Sequence, residues 1–301
     1  MVENVRERVR LRKRRKITAG KVIVYIAVIL LMAFTLYPIL YVLSMSFSSL
    51  EHLILQDVWL LPKDFTFESY ALLFQTPDLW IAYKNTIVYT VLGTSIGLIC
   101  TVALSYAVSQ KNFYFRRVVI WFFMITMFFS GGVVPSYILI NQLHMINTPW
   151  AIALPGAVTA WNMIITRTYF ATISPSLFES ASLDGAGEIR KLIWIALPVA
   201  KPIIAVLALY LIVGYWNTYF SAVLYLEQVE LMPIQNYLQT ILSDGNAAGG
   251  TPGQGGTIGG AVQLEQLKYS SIVVAIFPIM MVYPFLQKYF AAGIMVGSIK
   301  E

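Results

Sequence analysis

Glu179-Ser180-Ala181-Ser182-Leu183-Asp184-Gly185-Ala186-Gly187-Glu188-Ile189-Arg190-Lys191-Leu192-Ile193-Trp194-Ile195-Ala196-Leu197-Pro198 is a polar stretch in a chain that is otherwise built for hydrocarbon. Of the 301 residues, 58% are hydrophobic and 12% charged, with a mean hydropathy of +0.69. Soluble domains carry about 25% charged residues. The composition is that of an integral membrane protein, and a segment this polar belongs outside the bilayer. Ser174-Pro175 offers an N-cap followed by proline at the first helical position, and Ser176-x-x-Glu179 offers a capping box, so a helix is predicted to begin here. Asp184-Gly185 interrupts it. Ile189, Leu192, Ile193 and Ala196 then recur at i, i+3, i+4 and i+7, which predicts a second amphipathic helix stopped by Pro198. The expected form is a helix-turn-helix lying across the membrane face, its polar side turned away from lipid.

Around this insert the sequence shows six apolar spans, near 22–47, 81–109, 117–140, 149–172, 203–225 and 271–291. Each is long enough to cross about 30 Å of hydrocarbon at ~1.5 Å per helical residue. The expected fold class is therefore all-α, one membrane domain over 22–291 between a basic tail at 1–21 and a short tail at 292–301. The first span runs past the length of a signal-peptide core and lacks a small-x-small cleavage site, so it is read as a retained helix. Nine Lys or Arg against two Glu in the first 21 residues predict a cytoplasmic N-terminus. The remaining loops then alternate, leaving Lys63, Lys84 and Lys268 as the outer basic residues and 18 of the 21 inside. Both termini are expected in the cytoplasm, and so is the loop 174–200. The basic tail reads as a topology signal touching anionic lipid headgroups, not as a nucleic-acid arm.

Other features carry less chemistry. Cys100, the only cysteine, lies in an apolar run and reads as a small packing residue. The outer loop 48–80 holds enough aromatic and proline residues to fold against the outer helix ends. The outer loop 226–270 has a glycine-rich centre at 245–260 without the Gly-Lys-Ser/Thr ending of a phosphate loop, and is expected to be a flexible external loop. No carboxylate cluster is expected beside His52 or His144, and both read as loop residues, not metal ligands. Ser130-Gly131-Gly132-Val133-Val134-Pro135 should break or kink span three.

The insert resembles a known signature. Glu-Ala-Ala, three residues, Gly, nine residues and Ile-x-Leu-Pro mark the cytoplasmic loop of bacterial ABC importer permeases, and here the pattern reads Glu179-Ser180-Ala181, Gly185, Ile195, Leu197 and Pro198, with Ser180 as the one departure. The basic N-terminus, the six spans and the ending Gln287 to Glu301 also resemble the second permease subunit of carbohydrate importers of the maltose-transporter type. The branch most alike handles oligosaccharides and polysaccharides, including lipoprotein-linked systems. The resemblance implies a type I importer permease in the bacterial cell membrane. It implies a heterodimer with a homologous second permease, two ATPase subunits and an extracytoplasmic solute-binding protein. It implies no cofactor on this chain, with ATP and Mg held by the ATPase, and no nucleic-acid partner. Residues 176–190 would enter a cleft of the ATPase, with Glu179, Ser180, Ala181, Asp184, Gly185, Ala186 and Arg190 as the coupling residues. Glu179 would pair with a basic ATPase residue, or close its own capping box, while Ala181 and Gly185 would permit close backbone approach. The residues after the last span, Gly293-x-x-x-Gly297 among them, would reach between the two ATPases.

For the solute path, polar and aromatic residues inside spans matter most, because a polar group in hydrocarbon faces a partner helix or an aqueous cavity. Span five carries Tyr210, Gly214, Asn217 and Ser221 at helical spacing, flanked by Tyr215, Trp216, Tyr219 and Phe220, and span four carries Trp161 and Asn162 at comparable depth. Aromatic rings stack on sugar C–H faces and amides pair with hydroxyls, so the stripe suits a carbohydrate; helix packing is the competing reading. No Asp or Glu lies in any of the six spans, which argues against an ion-coupled secondary transporter, and no nucleophile–base pair or metal cluster points to an enzyme. Within importers, the other solute classes weighed are amino acids, peptides and inorganic anions.

Overall fold

The structure is a computed structural model and describes residues 19–248 and 267–285. The basic tail up to residue 18, most of the glycine-rich run and the C-terminal tail lie outside the described residues. The chain divides into two compact units, 1–66 and 67–301.

In the first unit, α1 (Ala19–Ser46) is apolar around its whole circumference and α2 (Leu50–Leu55) follows a short turn. A helix without a polar face is stable in lipid or against other apolar helices. The turn is tied by Ser44 Oγ donating to Leu60 O at 2.7 Å, by Thr66 N donating to Phe47 O at 2.9 Å, and by stacking of Phe47 on Phe65. His52 sits between two carboxylates, Asp57 at 3.0 Å and Asp64 at 3.1 Å. The Lys63 ammonium, 2.6 Å from Asp57, is the main reason that this carboxyl is held below its ordinary range.

The second unit continues with α3 (Glu68–Gln75), α4 (Pro77–Ser109), α5 (Arg116–Phe128), α6 (Val133–Gln142), α7 (Pro149–Ala153) and α8 (Ala160–Phe170). The polar insert follows as α9 (Pro175–Leu183), α10 (Glu188–Lys191), a π-helical turn (Leu192–Ala196) and α11 (Leu197–Val199). Next come α12 (Lys201–Trp216), α13 (Phe220–Tyr225), a 3₁₀ turn at Val229–Leu231, α14 (Ile234–Ala248) and α15 (Leu267–Phe285). No strand occurs among the described residues.

The spine of this unit is α4. Its buried face carries Thr86, Thr90, Gly93, Thr94, Gly97, Thr101 and Ser105, small residues at helical spacing that let neighbouring backbones approach. A Cβ on Gly93 would overlap the Tyr215 ring, and one on Gly97 would stand 3.0 Å from Ala157 O and from Leu211. The same face forms hydrogen bonds: Thr101 Oγ1 to Ala157 O (3.4 Å) and Ser105 Oγ to Met163 O (3.1 Å). At the other end, Asn85, Thr86 and Tyr89 pin the segment before α14, with Tyr89 Oη donating to Leu231 O and Ile234 N donating to Thr86 Oγ1. Two apolar clusters fill the remaining space. One gathers around Tyr106, Phe170, Leu207 and Tyr215, and the other around Leu79, Trp216, Ile234 and Val274.

The six expected spans are only partly matched by single long helices. Three helices, Gly20–Ser46, Pro77–Ser109 and Leu267–Phe285, are long and apolar enough to cross a membrane, and a fourth passes if the segments on either side of an 85° bend at residue 200 are one span. The other expected spans are pairs of shorter helices. Span three breaks between Phe128 and Val133, where Gly132 takes φ 86° and its N–H bonds Ser130 Oγ, as its glycines require. Span four breaks between Ala153 and Ala160 at Pro155-Gly156, and Thr159 caps the restart by accepting from Asn162 N. Span five breaks after Trp216. There Asn217 Nδ2 and Thr218 Oγ1 bond back to Val213 O and Gly214 O, competing with the helical ladder. Within 226–270, expected as an outer loop, residues 234–248 form α14, with Ile234 and Ile241 buried on one face, and the rest of the glycine-rich centre lies outside the described residues. Cys100 is exposed on α4, so it is no packing residue of this unit.

Candidate functional site

The polar insert is built by local backbone chemistry. α9 starts where Ser174-Pro175 indicates, but no capping box forms: Ser176 lies inside the first turn, its hydroxyl 2.8 Å from Ser174 Oγ. That removes the local job foreseen for Glu179, whose exposed carboxylate finds no partner among the described residues. α9 ends in a two-bond Schellman cap, with Ala186 N donating to Ala181 O (2.9 Å) and Gly185 N donating to Ser182 O (3.1 Å). Gly185 occupies the left-handed position at φ 79°, with nothing within 4 Å of where a Cβ would stand. The glycine is therefore demanded by the turn, and crowding inside the chain plays no part.

The second helix differs from the expectation. It is not stopped by Pro198; the helical path runs on to Val199 and bends at residue 200. A proline at 198 cannot donate to Trp194 O and its ring crowds that carbonyl. The π-helical turn at Leu192–Ala196 widens the helix just before it. The widening also rotates the pattern: Leu192 and Ala196 face inward as expected, while Ile189 and Ile193 are exposed and Lys191 is buried instead. Glu188, at the helix start where a carboxylate is favoured, accepts from Lys191 Nζ at 2.8 Å and from Tyr106 Oη at 3.1 Å. These bonds, Lys191 first, hold its carboxyl below the ordinary range against some desolvation.

What remains outward is compact. Ala181, Asp184, Ala186, Arg190, Trp194 and Ile195 border a shallow depression of about 340 Å³ open to the surface, with Glu179 exposed on α9 beside it in sequence. Both signs of charge and an exposed indole surround it. A protein partner suits such a depression better than a small ligand, because its walls do not enclose.

The expected stripe on span five is divided by the structure. A cavity of about 250 Å³ brings together Asn162, Tyr210, Gly214, Tyr215 and Ser221, and adds Thr159 and Thr218, which the sequence reading passed over. Thr159 could have been found from Pro155-Gly156, a breaker followed three residues on by a capping residue. The other residues of the stripe go elsewhere. Trp161 turns outward, 58% exposed. Tyr215 borders the cavity, but its hydroxyl is committed to Ala153 O at 2.8 Å. Trp216 is buried against α15, donating to Ala275 O at 3.0 Å, and borders a separate cavity of about 340 Å³ with Thr90, Thr94 and Ile212. Asn217 accepts from Gln235 on α14. Tyr219 lines a second cavity of about 430 Å³ with Asp78, Glu230, Tyr237 and Gln239, and Phe220 is exposed. The break after Trp216 turns Asn217 out of the stripe, while Ser221 beyond it still lines the cavity with Tyr210 and Gly214.

Among the described residues no His, Cys, Asp or Glu group could hold a metal. No family model matches the chain. The chain is 38% identical over 271 residues to Protein LplC of Bacillus subtilis, covering 89% of this chain and 90% of that protein. It is 33% identical over 263 residues to the polygalacturonan/rhamnogalacturonan transport system permease protein YtcP of the same organism, covering 87% and 92%. A chain in the crystal structure of a bacterial ABC transporter involved in import of the acidic polysaccharide alginate superposes with a TM-score of 0.83 at 32% identity, over 92% of this chain and 98% of that one. A second alginate-transporter chain, in complex with an alginate pentasaccharide-bound periplasmic protein, shares the fold at a TM-score of 0.54 and 17% identity. These relatives are transport permeases that span nearly the whole of this sequence, and the chain belongs to the family of sugar permeases of ABC transporters.

Proposed function

We propose that the chain is the translocation subunit of an ATP-driven importer for oligosaccharides or polysaccharide fragments. In this reading it crosses the membrane six times with both termini in the cytoplasm, and each broken helix pair serves as one crossing. It pairs with a homologous permease, and a separate ATPase pair binds ATP and Mg. A solute-binding protein delivers the sugar from outside; the alginate transporter is found in complex with a periplasmic protein that holds an alginate pentasaccharide. Residues 176–190 dock in the ATPase, with Glu179 as the free carboxylate for a basic ATPase residue. The observation that carries the reading is the exposed, Schellman-capped turn bearing Glu179, Asp184 and Arg190 in a chain of the sugar permease family. A small cavity lined by Asn162, Tyr210 and Ser221, with no charged side chain, offers hydroxyl and amide partners to part of a sugar on its way through.

The test is uptake into proteoliposomes holding the permease pair, its ATPase and the binding protein. Acidic and neutral oligosaccharides, an amino acid and a peptide are offered in turn. ATP-dependent uptake confined to a saccharide is expected. Uptake of the amino acid or peptide alone would move the chain to another solute class.

A further inference from the structure

Four segments of the second unit meet on one side chain. Tyr106 lies on the last turns of α4, and its ring is 5% exposed. It packs edge-on to Phe170 of α8 at 5.9 Å and against Phe178 of α9 at 6.1 Å. Its hydroxyl donates to Glu188 of α10, whose other oxygen accepts from Lys191. The contact therefore spans both arms of the insert, one by an aromatic face and one by a charge-assisted bond. Buried charge in a helix this short has a cost, and Lys191 is 9% exposed with Glu188 as its partner. From Tyr106 onward α4 is bonded to α8 by Ser105 and to the linker before α8 by Thr101, and pressed on α12 at Gly93 and Gly97. Those are the helices that supply Asn162 and Tyr210 to the pathway cavity.

We propose that Tyr106 is a positioning residue that locks α9 and α10 in one register against α4, so that a push on the docking turn reaches the cavity helices as a rigid displacement. The inference rests on the docking reading of residues 176–190. Without the lock, α9 and α10 can shift by a helix-slide distance of about 1–2 Å while α4 stays in place.

The experiment uses the complete complex, with spin labels on the chain's own Cys100, exposed on α4, and on Ser182→Cys, exposed on α9. In the otherwise native chain the label distance is expected to be narrow and unchanged when ATP and Mg are added. Tyr106→Phe keeps the ring and removes the hydroxyl; Glu188→Ala removes the acceptor. Each is expected to broaden or move the distance by about 1–2 Å with ATP, while the ATPase still co-purifies. Glu188→Gln, which keeps an acceptor for Tyr106, should restore most of the narrow distribution. A distance that stays narrow in both Tyr106→Phe and Glu188→Ala overturns the proposal. The docking reading is checked separately: if Glu179→Ala with Gly185→Asp leaves ATPase co-purification intact, that reading falls and takes the proposal with it.

Discussion

The insert at 175–199 and the stripe at 210–221 are neighbours in the chain, and both are interrupted helices, yet they treat their polar residues in opposite ways. In the insert the interruption is a tight cap centred on Gly185, and the residues around it keep a defined local arrangement: Glu179, Asp184 and Arg190 outward, Lys191 buried, and the exposed Glu188 bridging Lys191 to Tyr106. In the stripe the interruption is side-chain competition at Asn217 and Thr218; Tyr210 and Gly214 before it and Ser221 after it still line one cavity, while Asn217 turns to Gln235. A motif defined by a turn survives because the turn fixes its own geometry. A face defined by a helical repeat loses the residue at which the helix breaks.

The contrast can be broken most forcefully at Gly185. Gly185→Val puts a β-branched side chain at φ 79° and should reduce ATPase association at least about tenfold by spoiling the Schellman turn. Gly185→Asn, which tolerates the left-handed region, should retain most of it. Equal loss in both, read by co-purification, would mean that close approach of the partner and not φ demands the glycine.

A smaller effect is expected at Gly93, where the stripe's Tyr215 meets α4. Gly93→Val overlaps the Tyr215 ring, so the detergent-solubilised protein should lose about 1–3 kcal/mol of stability. Restoring it with Tyr215→Ala in the same chain would show that the overlap is the cause; thermal unfolding followed by fluorescence is a suitable measure.

Within the stripe, Asn162→Ala and Tyr210→Ala should raise the sugar concentration for half-maximal uptake several-fold, with ATPase association unchanged. Asn217→Ala, whose partners are Val213 and Gln235, should stay within about twofold, on the order of one exposed hydrogen bond. The reverse ranking would return the path to the helical face drawn from sequence.

The smallest effect concerns pH. Glu188 is held below its ordinary value of 4.5, so its share of the lock is present above that value and fades as pH falls through the depressed one. Protease resistance of the insert should be flat from pH 8 to 5.5 and decline only below about 4.5. A decline centred near neutrality would assign it to another group.

Much of the fold was legible in composition and spacing. Apolarity marks α1, α4 and α15, and Ser130-Gly131-Gly132 marks the break in span three. The break at Pro155-Gly156 was equally visible, and was hidden only by the apolar run that contains it. The π turn was not legible, because it arises from the meeting of Pro198 with a carbonyl one turn earlier, and it reassigns Ile189, Lys191 and Ile193 between faces. Tyr106 carried no signal at all. Its role depends on Phe178 and Glu188, 72 and 82 positions further along, which only the folded chain brings to it.

The central claim is that the segment bearing Glu179 and Asp184 faces the ATPase while Lys191 is buried in the permease itself. Photo-cross-linking from each of these three positions in the assembled complex tests it directly. The account predicts ATPase adducts from 179 and 184, and at most a weak one from 191. Adducts from 191 with none from 179 and 184 would contradict it.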